Sequence, residues 1–268
     1  MKLIELFKDK KKKPVISFEI FPPKLDTPIE SIFSTLDRFA ALKPDFISVT
    51  YGAGGSKKDR TVEIATKIKN EYNIESMAHF TCVGHNKEEI DTIIDNLKRN
   101  NIQNVLALRG DPPADDPNFD FTKNVYQYAY QLVQHIRSKS DFCIAAGAYV
   151  EGHVDCKRLK DDLIHLKNKV DSGVDFLITQ LFFDNRLFYD FIDKAACIGI
   201  KCPVTPGIMP IFKADQIKRI ASLCGASIPA KLVLIMDKYG DNPDDMRKAG
   251  IEYAATQIKD LIENVVNG

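Results

Sequence analysis

A carboxylate inside an apolar run is the first place where this sequence departs from what packing alone would choose. Glu19 lies within Ser17-Phe18-Glu19-Ile20-Phe21 and is followed directly by Pro22-Pro23-Lys24. Burial among such neighbours would desolvate the carboxylate and raise its pKa, which suits a proton donor near neutral pH. A buried pair with an Arg or Lys is the plainer alternative. Arg109-Gly110-Asp111-Pro112-Pro113 closes a second apolar run. Its guanidinium can hold a phosphate or a ring carbonyl, and Gly110 lets backbone approach a flat ligand, although a salt-bridged turn would use the same residues. Gly52-Ala53-Gly54-Gly55-Ser56 can deliver backbone N–H groups to a ligand, or form a tight turn with Ser56 as a helix N-cap. His79 has no second ligand at metal spacing, so no metal site is expected.

These groups sit at the ends of β-rich runs that alternate with amphipathic stretches. Strands are expected at 14–21, 45–52, 76–83, 104–110, 143–150, 175–183 and 203–210, starting about 30 to 40 residues apart, the length of a strand-plus-helix unit. Helical spacing covers Ile29 to Ala41, Lys157 to Ser172 with Gly173 as its stop, and then 213–224, 229–239 and 244–265. The fold class is therefore α/β, a (βα)8 TIM-type barrel forming one domain over residues 1–268. A doubly wound sheet would carry a Gly-rich turn after its first strand, and Phe-Pro-Pro-Lys cannot make one. Within the strands, Ile16, Phe18 and Ile20 oppose Ser17 and Glu19, Ile47 and Val49 oppose Ser48 and Thr50, and Leu106 and Leu108 oppose Ala107 and Arg109. The first set of each is expected on the helices and the second inside the barrel. Glu19, Thr50, His79, Arg109, Asp111, Tyr149, His153 and Gln180 then fall at C-terminal strand ends, where barrel enzymes keep their sites. An eighth strand is expected where the sequence stops, at Asn267-Gly268, and is missing from the chain as given.

Composition sets the bounds. Hydrophobic residues make up 44% and charged residues 28%, and 37 basic residues balance 37 acidic ones. Nothing in that balance points to nucleic acid or an anionic membrane. The local run Lys10 to Lys13 reads as a solvated turn before the first strand. The six cysteines form no C-x-x-C, zinc or disulfide pattern, and Cys82 and Cys143 read as small buried hydrophobes. With no apolar leader and no 18-residue apolar stretch, a reduced, cytoplasmic location is expected.

Taken in order, several segments resemble the methylenetetrahydrofolate reductase family. They are Phe18-Glu19-Ile20-Phe21-Pro22-Pro23-Lys24, Ser48-Val49-Thr50-Tyr51-Gly52-Ala53-Gly54-Gly55, His79-Phe80-Thr81-Cys82 and Leu108-Arg109-Gly110-Asp111. They continue with Ala148-Tyr149-Val150-Glu151-Gly152-His153, Ile178-Thr179-Gln180-Leu181-Phe182-Phe183-Asp184 and Pro206-Gly207-Ile208-Met209-Pro210. The resemblance implies a barrel that binds FAD and reduces 5,10-methylenetetrahydrofolate to 5-methyltetrahydrofolate, with NADH or NADPH as hydride source. It implies that Glu19 is the general acid opening the methylene bridge, that Asp111 lies near the flavin and contacts the pterin, and that Gln180 and Gln216 bind folate. Thr50, Tyr51, Ala53, His79, Arg109, Gly110, Tyr149, His153, Cys156, Asp162 and Lys169 match positions that contact FAD.

Some features depart from the family pattern. His165 and Asn168 stand where the family often has Asn and Arg around the FAD, and losing that Arg would weaken a phosphate contact unless Lys167 or Lys169 compensates. The family's last strand, an aromatic run that helps hold folate, is not seen in the chain as given, and none of the regulation that a C-terminal domain brings to longer relatives is expected. A flavin-binding subunit, inactive alone, that needs a partner or the missing C-terminal strand is the alternative this leaves open. Methyl transfer on a zinc barrel is disfavoured, because only Cys156 lies near an expected mouth. The sequence gives no oligomeric state; a homo-oligomer is left open, since barrel enzymes of this kind often self-associate.

Overall fold

The computed structural model describes residues 1–8, 14–24, 26–51, 58–112, 116 and 119–264. Two compact units are present. The first comprises Met1–Ala146 and Lys169–Phe176, the second Gly147–Asn168 and the chain from Leu177 onward.

In the first unit a 3-10 turn, Leu3–Lys8, precedes β1 (Ser17–Ile20), α1 (Phe33–Ala41), β2 (Phe46–Val49), α2 (Lys58–Asn70), β3 (Glu75–Thr81), α3 (Lys87–Arg99), β4 (Asn104–Leu108), α4 (Ala129–Lys139) and most of β5 (Cys143–Ala148). Local chemistry explains the helices. α3 starts on a capping box in which Asn86 and Glu89 satisfy each other's backbone N–H, and it buries Ile90, Ile94 and Leu97 on one stripe. Phe18 of β1 stacks on Phe39 of α1 at 4.4 Å, as expected for the helix-facing set. Below the strands, buried Asn104 accepts from Leu3 N at 2.8 Å and donates to Ser76 O at 3.3 Å, so the N-terminal turn is tied to β3 and β4 by a satisfied polar group.

The pairs β1–β2, β2–β3, β3–β4, β4–β5 and β6–β7 are parallel, and the strands follow one another in sheet order from β1 to β7. Sequential order means a single direction of winding with right-handed crossovers, the barrel-type α/β arrangement, whereas a doubly wound sheet reverses its order at a switch point. Register then fixes the faces. Glu19 pairs with Ser48, Ser48 with Met77, His79 with Leu106, and Leu106 with Ala145. Residues paired across parallel strands point to the same side, so Leu106 and Leu108 share the face of Glu19 and His79. That reverses the orientation expected for β4. Leu and Ala are both apolar, so their alternation carries no sign, and only the partner strand sets it.

α5 (Leu159–Asp171) and β6 (Phe176–Thr179) cross from one unit to the other. The second unit continues with α6 (Asn185–Cys197), β7 (Val204–Thr205), α7 (Ala214–Cys224), α8 (Ala230–Tyr239) and α9 (Pro243–Asn264). Its core gathers Phe183, Ile211, Ile217, Leu232 and Met246. α9 lies so close to the backbone before α7 that a Cβ on Gly250 would meet Ile211 O at 1.7 Å. It is also tied to α6, where Asn185 Nδ2 donates to Gln257 O at 2.9 Å and to Asp260 at 2.7 Å, and Tyr189 donates to the same carboxylate.

The expected strands overshoot at their C-terminal ends. The run 203–210 yields only Val204–Thr205, because Pro203, Pro206 and Pro210 have no N–H to give a ladder. The run 104–110 stops at Leu108, before Gly110 turns to φ +92°. The stretch Ile29 to Ala41 begins as a 3-10 turn, Ile29–Ile32, and becomes α-helical only at Phe33. Seven strands are present among the described residues, and no described helix is long and apolar enough to cross a membrane. Lys10 to Lys13 and Asn267-Gly268 lie outside the described residues.

Candidate functional site

In the first unit, the side-chain face of β1 to β4 brings Glu19 and His79 together. Glu19 Oε2 lies 3.3 Å from His79 Nε2, across the intervening strand. The imidazole is buried, while the carboxylate is 46% exposed. The burial expected of Glu19 is therefore not found, because its apolar neighbours Phe18 and Ile20 point to the opposite face and leave it to water. Despite the short separation, His79 Nε2 lacks hydrogen-bond alignment and has no hydrogen-bond partner. Buried polar atoms are rarely left so, and such an orphan marks a place where a ligand group can complete the pairing. Thr50, also buried, holds the start of α2 through its carbonyl, which accepts from Thr61 Oγ1 at 3.0 Å. Tyr51 pairs its hydroxyl with His85 Nε2 at 3.0 Å, and His85 in turn sits 3.6 Å from Glu89 at the start of α3. Ala53 and the rest of the Gly52–Ser56 loop lie outside the described residues.

The end of β4 is built around Gly110. Its backbone has φ +92°, and a Cβ there would meet Thr81 Cβ at 3.0 Å and Val83 Cβ at 3.1 Å. Only glycine lets the β4 end lie this close to β3. Arg109 uses its carbonyl to accept from Val83 N at 3.0 Å, while its guanidinium lies over the Phe121 ring at 4.4 Å, a cation–π contact. Asp111 is exposed at the tip of the same turn. Cys82, beside Arg109, is buried, and burial pushes its thiol up to about 11; the same effect acts on Cys143. Both behave as small hydrophobes, as expected, and the six cysteines are free thiols.

In the second unit, Tyr149 and His153 meet edge to face at 4.6 Å in the loop after β5. His153 Nδ1 accepts from Asp155 N at 3.1 Å, which orients the ring, and Cys156 Sγ turns back on Arg158 O at 3.4 Å. Glu151 anchors that loop by accepting from Ser227 N with both carboxylate oxygens at 3.1 Å. Asp162, His165, Asn168 and Lys169 all lie on α5. At about 100° per residue, Lys169 falls within about 40° of His165, whereas Lys167 falls about 160° away. Lys169 is thus the lysine placed beside the positions where the family pattern is broken. Gln180 follows β6, and its Oε1 accepts from Leu181 N at 2.9 Å. Gln216 has a local duty as well: its Oε1 accepts from Phe212 N at 3.0 Å, closing the start of α7.

Several supporting residues escaped the sequence reading. Phe121 beneath Arg109 and His85 behind Tyr51 are contacts across loops, for which spacing gives no signal. Thr205 was hidden in a proline-rich run. Its Oγ1 is buried without a hydrogen-bond partner, and register with Ile178 puts it on the face of Gln180. Among the described residues no cluster of His, Cys, Asp or Glu could hold a metal.

Over residues 4–268 the chain matches the family model described as Methylenetetrahydrofolate reductase. It is 38% identical over 275 residues to Methylenetetrahydrofolate reductase (NADH) 1 of Arabidopsis thaliana, covering 98% of this chain and 46% of that one. It is 35% identical over 246 residues to 5,10-methylenetetrahydrofolate reductase of Escherichia coli (strain K12), covering 92% of this chain and 81% of that one. The chain thus spans less than half the length of the plant relative. In fold it resembles an uncharacterized protein from Clostridium thermocellum that binds two copies of 5-methyl-5,6,7,8-tetrahydrofolic acid, with a TM-score of 0.62 at 15% identity, covering 97% of this chain and 86% of that one.

Proposed function

Since the chain belongs to the methylenetetrahydrofolate reductase family, we propose that it reduces 5,10-methylenetetrahydrofolate to 5-methyltetrahydrofolate with bound FAD, and that Glu19 is the proton donor. The observation that carries this reading is the Glu19–His79 pair, an exposed carboxylate 3.3 Å from a buried imidazole nitrogen that has no hydrogen bond. The folate-binding neighbour of like fold and the relatives' names support the substrate. The plant relatives' names favour NADH over NADPH.

The residues fit a flavin. His79 Nε2 is an orphaned buried polar atom, and Gly110 presents backbone where any side chain would collide with Thr81 and Val83. When bound, the flavin supplies the hydride chemistry, accepting from the nicotinamide and giving to the folate. Thr50, Tyr51, Ala53, His79, Arg109, Gly110 and Asp111 of the first unit would hold it. The family resemblance also assigns flavin contacts to Tyr149, His153, Cys156, Asp162, His165, Asn168 and Lys169, residues of the loop after β5 and of α5. Arg109 supplies fixed positive charge, steadied from below by Phe121. The family resemblance assigns folate contacts to Asp111, Gln180 and Gln216. Gln216, whose oxygen is engaged at the start of α7, has its amide N–H groups left to offer a ligand.

Glu19 would move the proton. Opening the methylene bridge needs a donor at the departing nitrogen, and a flat ring laid over Glu19 would expel the water that now reaches it. Desolvation favours the neutral, proton-carrying carboxyl. His79 lies 3.3 Å away on the buried side, its Nε2 without a hydrogen bond. The reading goes with a cytoplasmic location and leaves a homo-oligomer open.

Glu19→Gln is the direct test. Flavin should be retained through desalting and reduced by NADH at an unaltered rate. Reoxidation by methylenetetrahydrofolate should slow by about 10²- to 10⁴-fold, the usual worth of a general acid. A wild-type protein that holds flavin but is not reoxidised by the folate would sink the activity. Reoxidation of the Glu19→Gln protein at the wild-type rate would remove Glu19 from the chemistry.

A further inference from the structure

Phe21 is 70% exposed, the most exposed large hydrophobic among the described residues, and it stands two residues beyond Glu19. Pro22 biases the residue before it to extended backbone, and where the pleat of β1 continues through Phe21 its ring falls on the side of Glu19, two residues back. The segment is not loose. Arg60 of α2 reaches back with one guanidinium nitrogen to three carbonyls, Pro23 O at 3.1 Å, Thr27 O at 2.9 Å and Lys24 O. A guanidinium spent on three backbone acceptors, together with two consecutive prolines, fixes the chain that leaves β1. The outcome is an exposed aromatic ring just past the end of β1, two residues from the half-exposed carboxylate, on a chain whose following backbone is fixed.

We propose that Phe21 is a stacking platform for a flat conjugated ring of the substrate, which it holds within reach of Glu19. This rests on the reductase reading above and adds to it a residue that selects for ring shape. A rigid exposed phenyl loses little entropy on binding, and stacking a planar heterocycle on it removes apolar surface from water on both partners. The platform also explains how Glu19 can be open to water in the structure yet work as an acid, because the ring that Phe21 receives is the one that covers the carboxylate.

The test compares wild type with Phe21→Ala and Phe21→Tyr, each loaded with FAD. Flavin reduction by NADH and flavin reoxidation by methylenetetrahydrofolate are followed separately, together with steady-state kcat and KM, flavin retention and thermal midpoint. Phe21→Ala should raise KM for the folate roughly tenfold, the scale of one lost aromatic contact, with kcat within about twofold. Phe21→Tyr should restore KM, and flavin retention and the thermal midpoint should not move. A tenfold shift that falls on NADH and spares the folate overturns the proposal, since the ring held near Glu19 would then not be the one it protonates. Unchanged KM for both substrates overturns it. So does a loss accompanied by a lower thermal midpoint that tyrosine fails to restore, since that is the behaviour of a packing residue. A wild-type protein without folate-dependent reoxidation fails the reductase reading itself, and this inference with it.

Discussion

Replacing Gly110 by alanine tests how the β4 end is built, and the structure supplies its own control. Gly110 has φ +92°, and an added Cβ would lie 3.0 Å from Thr81 Cβ, 3.1 Å from Val83 Cβ and 3.3 Å from Thr81 Cγ2. Two of these atoms are Cβ carbons, fixed to backbone, so they cannot swing aside. The positive φ costs an L-residue about 1–2 kcal/mol. Relieving contacts well inside the ~3.5–4.0 Å carbon–carbon optimum needs backbone movement worth about another 1–3 kcal/mol. Gly84 has φ +72° with nothing within 4 Å of its added Cβ. Gly84→Ala therefore carries only the conformational part. Urea melts of both variants at constant slope should show Gly110→Ala less stable than Gly84→Ala by about 1–3 kcal/mol, and the thermal midpoint should fall by roughly 5–15 °C for Gly110→Ala. Because the same movement displaces Arg109, flavin retention should fall in Gly110→Ala and hold in Gly84→Ala. Equal destabilisation by the two substitutions would refute the close approach of β4 to β3.

Alkaline stability should report on two tyrosines. Burial and a hydrogen bond to Asp260 push Tyr189 up to about 12, and burial with a bond to Asp37 does the same for Tyr72. A folded pKa above the unfolded value of about 10 means that the folded state keeps a proton the unfolded state has lost. Their contribution is full below about pH 10 and disappears by about pH 12. The double variant Tyr72→Phe/Tyr189→Phe should lose stability less steeply over that window, and the late-ionising part of its absorbance titration should shrink by two tyrosines relative to wild type, leaving Tyr126 and Tyr253, which burial also raises. At the acid end, the His135 and Lys139 side chains hold Asp91 below the usual carboxylate range. That contribution is present above the unfolded pKa and is lost as pH falls through the folded one. Asp91→Asn should thus melt earlier than wild type at neutral pH, with the two curves converging in acid; a gap that persists at low pH would show that the pair contributes no charge-dependent stability.

Much was legible in the residues because it depends on local rules. Alternation and helical spacing placed the strand and helix centres, from Ile47 and Val49 on β2 to Ile217 in α7, and Phe-Pro-Pro-Lys argues against a doubly wound sheet. Strand ends were less legible, since they depend on whether each N–H finds a neighbour, and prolines at 203, 206 and 210 cut β7 to two residues. The ordered motifs from Phe18 to Pro210 placed the chain in its family. The sequence thus determined the element types, the order of winding and which side chains stand at strand ends. The tertiary structure decided which of those side chains meet. It set the phase of β4, left Glu19 open to water although its neighbours are apolar, buried His79 against it, and put Phe121 under Arg109. Alternation along one strand repeats every two residues but does not say which face looks inward. Only pairing with the next strand breaks that symmetry, and the environment of every side chain at the strand ends follows from it.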